Sequence, residues 1–177
     1  LSLEKCNFPI PLKVYCIDQK SFDELKQFNQ KILLEMLHDE TNTNETIVGW
    51  KEEGWNTMML SKLKCIHKEL IDYDYVFYTD SDIVFENNYC IQYLLDNLHD
   101  CDLLIQNNCN EQFCAGFMFL KSNDKTIQLF DTKDIDMDKF KCDQSYLNSK
   151  KDLINYRVLS PELFPVGCFY YDNYETI

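Results

Sequence analysis

Glycine and proline are scarce in this chain, four of each among 177 residues. No low-complexity tract and no repeat with a period of about 20 to 50 residues accompanies them. That scarcity excludes a long linker, a disordered tail and a solenoid. It leaves one domain spanning residues 1–177, since an apolar fraction of 45% suffices for a single core. Long hydrophobic runs are missing too: nothing approaches the roughly 20 apolar residues that cross a bilayer. The opening LSLEKCNFPIP lacks the architecture of a signal peptide. The expectation is a chain without a membrane segment, an anchor entering only if these residues belong to a longer product. Basic residues are outnumbered, 17 Lys and Arg against 30 Asp and Glu, for a net charge of -13. Such a field repels polyanions, which excludes nucleic acid as a partner. An acidic protein that binds a phosphorylated ligand is expected to recruit a divalent cation as a bridge.

The nine cysteines include no C-x-x-C pair, and no paired histidines accompany them, which argues against zinc. Their number is odd. Cys16 and Cys65 lie inside apolar runs, where a thiol behaves as a small hydrophobe. This usage favours a reducing, cytoplasmic compartment, with a Golgi-type lumen as the alternative if an anchor precedes the chain. Asn44-Glu45-Thr46 matches a glycosylation sequon, a pattern too short to decide between them.

What is present is an alternation of strand and helix patterns. Leu12 to Ile17 reads as a strand, followed after Asp18 by helical spacing at Phe22, Leu25, Phe28, Ile32 and Leu33. Residues 38–54 read as a polar loop. A second helix begins at Trp55, with Met58, Met59, Leu63, Ile66 and Leu70 on one side. The continuous apolar run Tyr75 to Tyr78 then reads as a strand buried on both faces, stopping at Asp80. A helix from Tyr89 to Leu98, strands Leu103 to Ile105 and Gly116 to Leu120, a helix near Ser122 to Phe130 and a short helix after Asp143 follow. The last segment, Arg157 to Tyr171, reads as extended. The alternation predicts an α/β fold with a mainly parallel sheet, whose ligands belong at the carboxyl ends of the strands.

Asp80-Ser81-Asp82 falls at such an end. Two carboxylates one residue apart, where a strand is stopping, offer hard oxygen ligands to one Mg²⁺ or Mn²⁺ that completes its shell with phosphate and water. An EF-hand loop counted from Asp80 needs a Gly and a Glu where Phe85 and Ile91 stand, so that reading is rejected. A phosphatase of the haloacid dehalogenase type would place D-x-D-x-[TV] after a strand with Asp80 as nucleophile, and Asp80 to Val84 fits that string. No later G-D-x-x-x-D loop supports it, and its Asp belongs near the chain start. Two solvated turn carboxylates are the plain structural alternative.

Four segments taken together resemble the nucleotide-diphospho-sugar transferases of GT-A fold, in particular the group with plant cell-wall arabinosyl- and xylosyltransferases. They are WNTMMLSKLKCIHKEL, YDYVFYTDSDIVFENN, FCAGFMFLKSN, and CDQSYLN with VLSPELFPVG, in that order. The resemblance spans about Leu12 to Tyr171. It implies a metal-dependent transfer of a sugar from a nucleoside-diphosphate sugar, a UDP-sugar, to a hydroxyl of a glycan, protein or small molecule. In that frame Asp80 lies near ribose and metal, Asp82 binds Mn²⁺ or Mg²⁺ directly, and Lys62 lies near the donor phosphates. Ala115-Gly116 lets backbone approach the donor sugar. Asp143-Gln144 lines the sugar pocket, with Asp143 acting on sugar or acceptor or capping the following helix. Gln106 and Asn107 are amides for the sugar, or plain turn residues, and Trp50 and Trp55 are stacking or packing rings. The plant members are retaining, which the resemblance carries over.

The chain also departs from the family. Cys114 stands where relatives carry a polar residue. The family's opening base-binding strand and a metal-binding His after the F-P-x-G segment have no counterpart here. The resemblance therefore implies either truncation at both ends or a reduced relative, and the latter admits a non-catalytic module that binds nucleotide or carbohydrate.

Overall fold

In the computed structural model the described residues are Ser2, Cys6, 11–28, 32–37, 54–108 and 112–173. Leu12–Cys16 forms β1 and Ile32–Met36 forms β2, paired in parallel with Leu12 opposite Ile32. Helix α1, Gln19–Phe28, connects them. Asp18 opens that helix by accepting from the Ser21 amide and hydroxyl, each at 2.7 Å. The apolar spacing that carried the predicted helix on through Ile32 and Leu33 is thus interrupted, because those two residues begin β2. A short apolar run such as ILLEM does not announce its own period, and pairing with β1 decides it.

The main body runs through α2 (Trp55–Asp72), β3 (Tyr75–Thr79), α3 (Tyr89–Leu98), β4 (Leu103–Asn107), β5 (Phe113–Lys121), α4 (Asp124–Phe130), α5 (Asp143–Lys150), β6 (Tyr156–Val158) and α6 (Gly167–Asp172). Its sheet has the order β3-β5-β4-β6. Strand β5 is antiparallel to both β3 and β4, whereas β4 and β6 are parallel. Three of the four strands therefore point the same way and β5 runs against them, in an α/β sheet flanked by helices. The segment between β4 and β5 is too short for a parallel crossover, so a reversal there follows from length alone. Strand β3 was expected to be buried on both faces. It is instead the terminal strand of this sheet, and Tyr75 is 48% exposed. The C-terminal stretch is extended only as far as β6, and the residues from Gly167 close as a helix.

Alternation along the strands divides the core between two faces. Val76, Leu103, Ile105, Met118 and Leu120 face Met59, Leu63, Ile66 and Leu70 of α2, with Leu129, Phe130 and Leu147 from α4 and α5. Leu104, Phe117 and Phe119 face Leu94 and Leu98 of α3, with Phe85, Leu159 and Phe164. Because both faces are covered, β4 and β5 read as unbroken apolar runs rather than alternating ones.

The β1–β2 pair is fastened to α2 by charge. Lys13 lies 3.1 Å from Glu35 and 2.7 Å from Glu69, while Lys68 also meets Glu35 and the Tyr15 hydroxyl donates to Glu69. Burial, then the negative charges of Glu35 and Glu69, pushes the thiol of the neighbouring Cys65 up to about 12. Cys6, Cys16, Cys65, Cys90, Cys101, Cys114 and Cys142 are free thiols, whereas Cys168 is disulfide-bonded.

Leu104, wholly buried on the central strand β4, tests this two-sided core. Leu104→Ala is expected to destabilise the protein by about 2–5 kcal/mol in urea denaturation, and a loss under about 0.5 kcal/mol would contradict the burial.

Candidate active site

The same period-two logic that builds the core builds the site. Val76 and Tyr78 point from β3 towards α2, and the next residue of that parity is Asp80, just beyond the strand end. On α2, Lys62 occupies the apolar stripe formed by Met59, Leu63 and Ile66, where a core residue would otherwise stand. Its side chain is only 11% exposed. A buried ammonium requires partners, and it has two: Asp80 Oδ1 at 3.0 Å and Asp143 Oδ2 at 2.8 Å. Burial alone would lower the Lys62 pKa, but Asp143 and then Asp80 outweigh it, so the ammonium is held above its ordinary value.

Asp80 is constrained from three further directions. The Tyr78 hydroxyl donates to the same Oδ1 at 2.7 Å. Burial, and then the Asp80 charge, pushes the Tyr78 phenol up, so it stays a donor. Lys62 Nζ also lies 4.9 Å from the centre of the Tyr78 ring. Beneath Asp80, its backbone N–H donates to the Gly116 carbonyl at 2.8 Å, and a Cβ on Gly116 would come to 3.0 Å from Asp80 Oδ2.

Gly116 reaches this place through an irregularity in the sheet. Ile105 pairs with Met118 but the next residue, Gln106, pairs with Cys114. Ala115, Gly116 and Phe117 are therefore looped out of the β4 ladder while Phe117 keeps its partner Thr79 on β3. Such a bulge re-aims the backbone beside a site.

Asp143 is the first residue of α5 and is 5% exposed. Its Oδ1 accepts from the Gln144 amide at 2.8 Å, a carboxylate at the positive end of the helix. Asp143 is thus not the N-cap that the sequence suggested, since Cys142 holds that position without a side-chain cap bond; as the first helical residue it accepts only from the next amide. Gln144 is half-buried, and its carbonyl accepts from the Asn148 side chain at 2.8 Å. Asn148 also ties α5 to β5 by accepting from Phe113 N at 3.0 Å.

Other sequence-predicted residues fall elsewhere. Gln106 is 4% exposed, and its amide nitrogen donates to the carbonyls of Phe164 at 3.2 Å and Pro165 at 2.9 Å. It braces the F-P-x-G segment against β4. The neighbouring Asn107 has its Oδ1 buried with no protein partner. Ala115 is buried. Cys114 is half-buried, its thiol pushed up first by burial and also by Asp80. Trp55 packs on the α2 face of the core, and Trp50 lies outside the described residues. Asp82 is exposed. Tyr78 was missed, although its spacing from Asp80 on a strand was the signal for it.

Among the described residues no group of three or more His, Cys, Asp or Glu side chains is placed to hold a metal. The arrangement instead suits a cation that brings much of its shell with it: Asp82 is exposed, Gly116 leaves room against Asp80, and all donors are hard oxygens. Mg²⁺ and Mn²⁺ bound with phosphates use one or two carboxylates in this way.

In an open α/β sheet, the region beyond the carboxyl ends of the strands, where Asp80 and Asp82 lie, is where ligands such as nucleotides are commonly bound. The family model for nucleotide-diphospho-sugar transferase matches residues 11–175, and the chain belongs to that family. It is similar to a UDP-galactose:fucoside alpha-3-galactosyltransferase of Dictyostelium discoideum, with 26% identity over 224 aligned positions covering 97% of this chain and 34% of the relative. The chain thus spans about a third of that relative's length. That membership sets the chain among sugar transferases and not with the phosphatases weighed as the alternative for Asp80. Among the described residues no helix is long and apolar enough to cross a membrane.

The ion triad makes a stability prediction. Lys62→Met leaves buried Asp143 uncompensated and is expected to cost about 3–5 kcal/mol, while Lys62→Met with Asp143→Asn recovers most of that loss. Denaturation of the singles and the double measures it, and additive losses would contradict the coupling.

Proposed function

We propose that this chain is the donor-binding part of a metal-assisted glycosyltransferase that moves a hexose from a UDP-sugar to an acceptor hydroxyl. The observation that carries the reading is the division of labour in the D-x-D pair. Asp80 is pinned by Lys62 and Tyr78 over Gly116, and Asp82 is left exposed beside it. Uridine and hexose are inferred from the name of the Dictyostelium relative, which acts on UDP-galactose.

Asp82 and Asp80 would hold Mn²⁺ or Mg²⁺. When bound, that cation would supply Lewis-acid stabilisation of the negative charge left on the departing diphosphate. The protein's own residues do the rest. Tyr78 and Lys62 keep Asp80 in one rotamer, so its outer oxygen is set before the ligand arrives. The absent side chain at Gly116 admits the donor close to the strand. Asp143, fixed at the start of α5, places a second carboxylate beside the first, on the side where sugar or acceptor would lie. Asn107 offers a buried acceptor oxygen with no partner at the end of β4, suited to a sugar hydroxyl.

Three outcomes check this. UDP with Mn²⁺ is expected to raise the melting temperature of the wild type and not of Asp82→Asn. No metal-dependent shift with any nucleoside diphosphate would overturn the proposal. Gly116→Ala is expected to fold normally by circular dichroism but bind UDP-sugar at least roughly tenfold more weakly, since the pinned Asp80 cannot yield freely. Asn107→Ala is expected to weaken UDP-sugar by about 1–3 kcal/mol while leaving UDP unaffected in calorimetry, and an equal loss for both would remove it from the sugar site. A chain that binds UDP-sugar with Mn²⁺ but transfers nothing to any hydroxyl, water included, would be the binding module instead.

A further inference from the structure

The position of Lys62 has a consequence for the order in which ligands arrive. Its ammonium sits between Asp80 and Asp143, at 3.0 and 2.8 Å, and shares Asp80 Oδ1 with the Tyr78 hydroxyl. Part of the charge that Asp80 would offer a divalent ion is therefore already compensated by a cation of the protein itself, which it shares with Asp143. The side chain is held in place by packing along the α2 stripe and by the Tyr78 ring 4.9 Å away. A divalent ion approaching Asp80 alone meets this fixed positive charge, which, being buried, is screened less than a surface charge.

We propose that Lys62 is a resident counter-cation that opposes binding of a free divalent ion at Asp80, so that the ion binds strongly only together with a nucleoside diphosphate. This rests on the metal-assisted reading above and adds to it a rule of coupling. The diphosphate supplies negative oxygens that offset the repulsion between ion and ammonium. Lys62 has three donors on a flexible stem, so it can keep Asp143 and turn a further N–H to a phosphate oxygen. Donor and cation then enter as one unit, and a site without donor does not trap the ion. Asp143, which stays paired, keeps the charge balance of the pocket in both states.

The probes are Mn²⁺ alone, followed through the signal of the free ion in electron paramagnetic resonance, and UDP titrated at fixed Mn²⁺. In the wild type, UDP is expected to raise Mn²⁺ affinity by at least about tenfold. Lys62→Met is expected to bind Mn²⁺ alone about tenfold more tightly and to lose a similar factor of the enhancement by UDP. Since that variant strands a buried carboxylate, the double variant Lys62→Met with Asp143→Asn is measured beside it, with its fold checked by thermal melting. The same tightening is expected there. Coupling that is present in the wild type and unchanged in a folded variant would overturn the role of Lys62 while leaving the transferase reading intact. Absence of Mn²⁺-dependent UDP binding in the wild type would overturn both. Wild-type binding of Mn²⁺ that UDP does not strengthen is, by reciprocity, the same result and overturns both, whether or not the variants fold.

Discussion

The ammonium of Lys62, buried against two carboxylates from different parts of the chain, is the constraint around which the site is organised. It joins three elements: α2, which carries it, the end of β3, which carries Asp80, and the start of α5, which carries Asp143. A charge this far from water is tolerated only with opposite charge beside it. The same requirement runs in reverse, since neither carboxylate would be comfortable so close to the other without the lysine. Helix α2 therefore cannot slide or rotate on the sheet without breaking the triad. The packing of Met59, Leu63 and Ile66 and the geometry of the site are one fact seen twice.

Around that centre, backbone irregularity does what side chains cannot. The three residues of β5 that leave the β4 ladder include Gly116, whose carbonyl meets the Asp80 amide and whose missing Cβ leaves the Asp80 carboxylate uncrowded. The cost is a break in the ladder next to Gln106, and that residue answers it. Its amide crosses to the carbonyls of Phe164 and Pro165 and so holds the chain beyond β6 against the sheet. A residue suggested by sequence as a sugar ligand thus serves as a brace for the loop that follows β6. The adjacent Asn107 keeps its oxygen unused.

Much of this was readable in advance, and the misreadings have physical causes. The apolar run ending at Asp80 and the strand–helix alternation predicted the α/β sheet and the location of the carboxylates. The helix carried too far, over Ile32 and Leu33, failed because a run of apolar residues holds no period of its own. The burial of β3 was overestimated because an apolar strand reads the same whether it ends a sheet or lies within one, and here the aromatic stack of Tyr75 on Phe119 covers part of the exposed side. Two signals lay in plain view. Lys62 stands three residues after Met59 and four before Ile66, a charge inside an apolar stripe. Tyr78 shares the face of Asp80 by simple alternation.

By itself, then, the sequence determined which side chains turn inward, because period and polarity are local properties that any stretch of chain displays. It thereby settled the α/β class, the position of Asp80 and Asp82 at a strand end, and the family through the joint order of its four segments. Only the tertiary structure decided what those inward groups meet. Lys62 and Asp143 lie far apart along the chain, and nothing local relates them. Their contact follows from the way α2 and α5 pack on one face of a sheet whose strand order is not the order of the sequence. The same holds for the bulge at Gly116, which exists because β5 must satisfy β3 on one edge and β4 on the other with registers that do not agree.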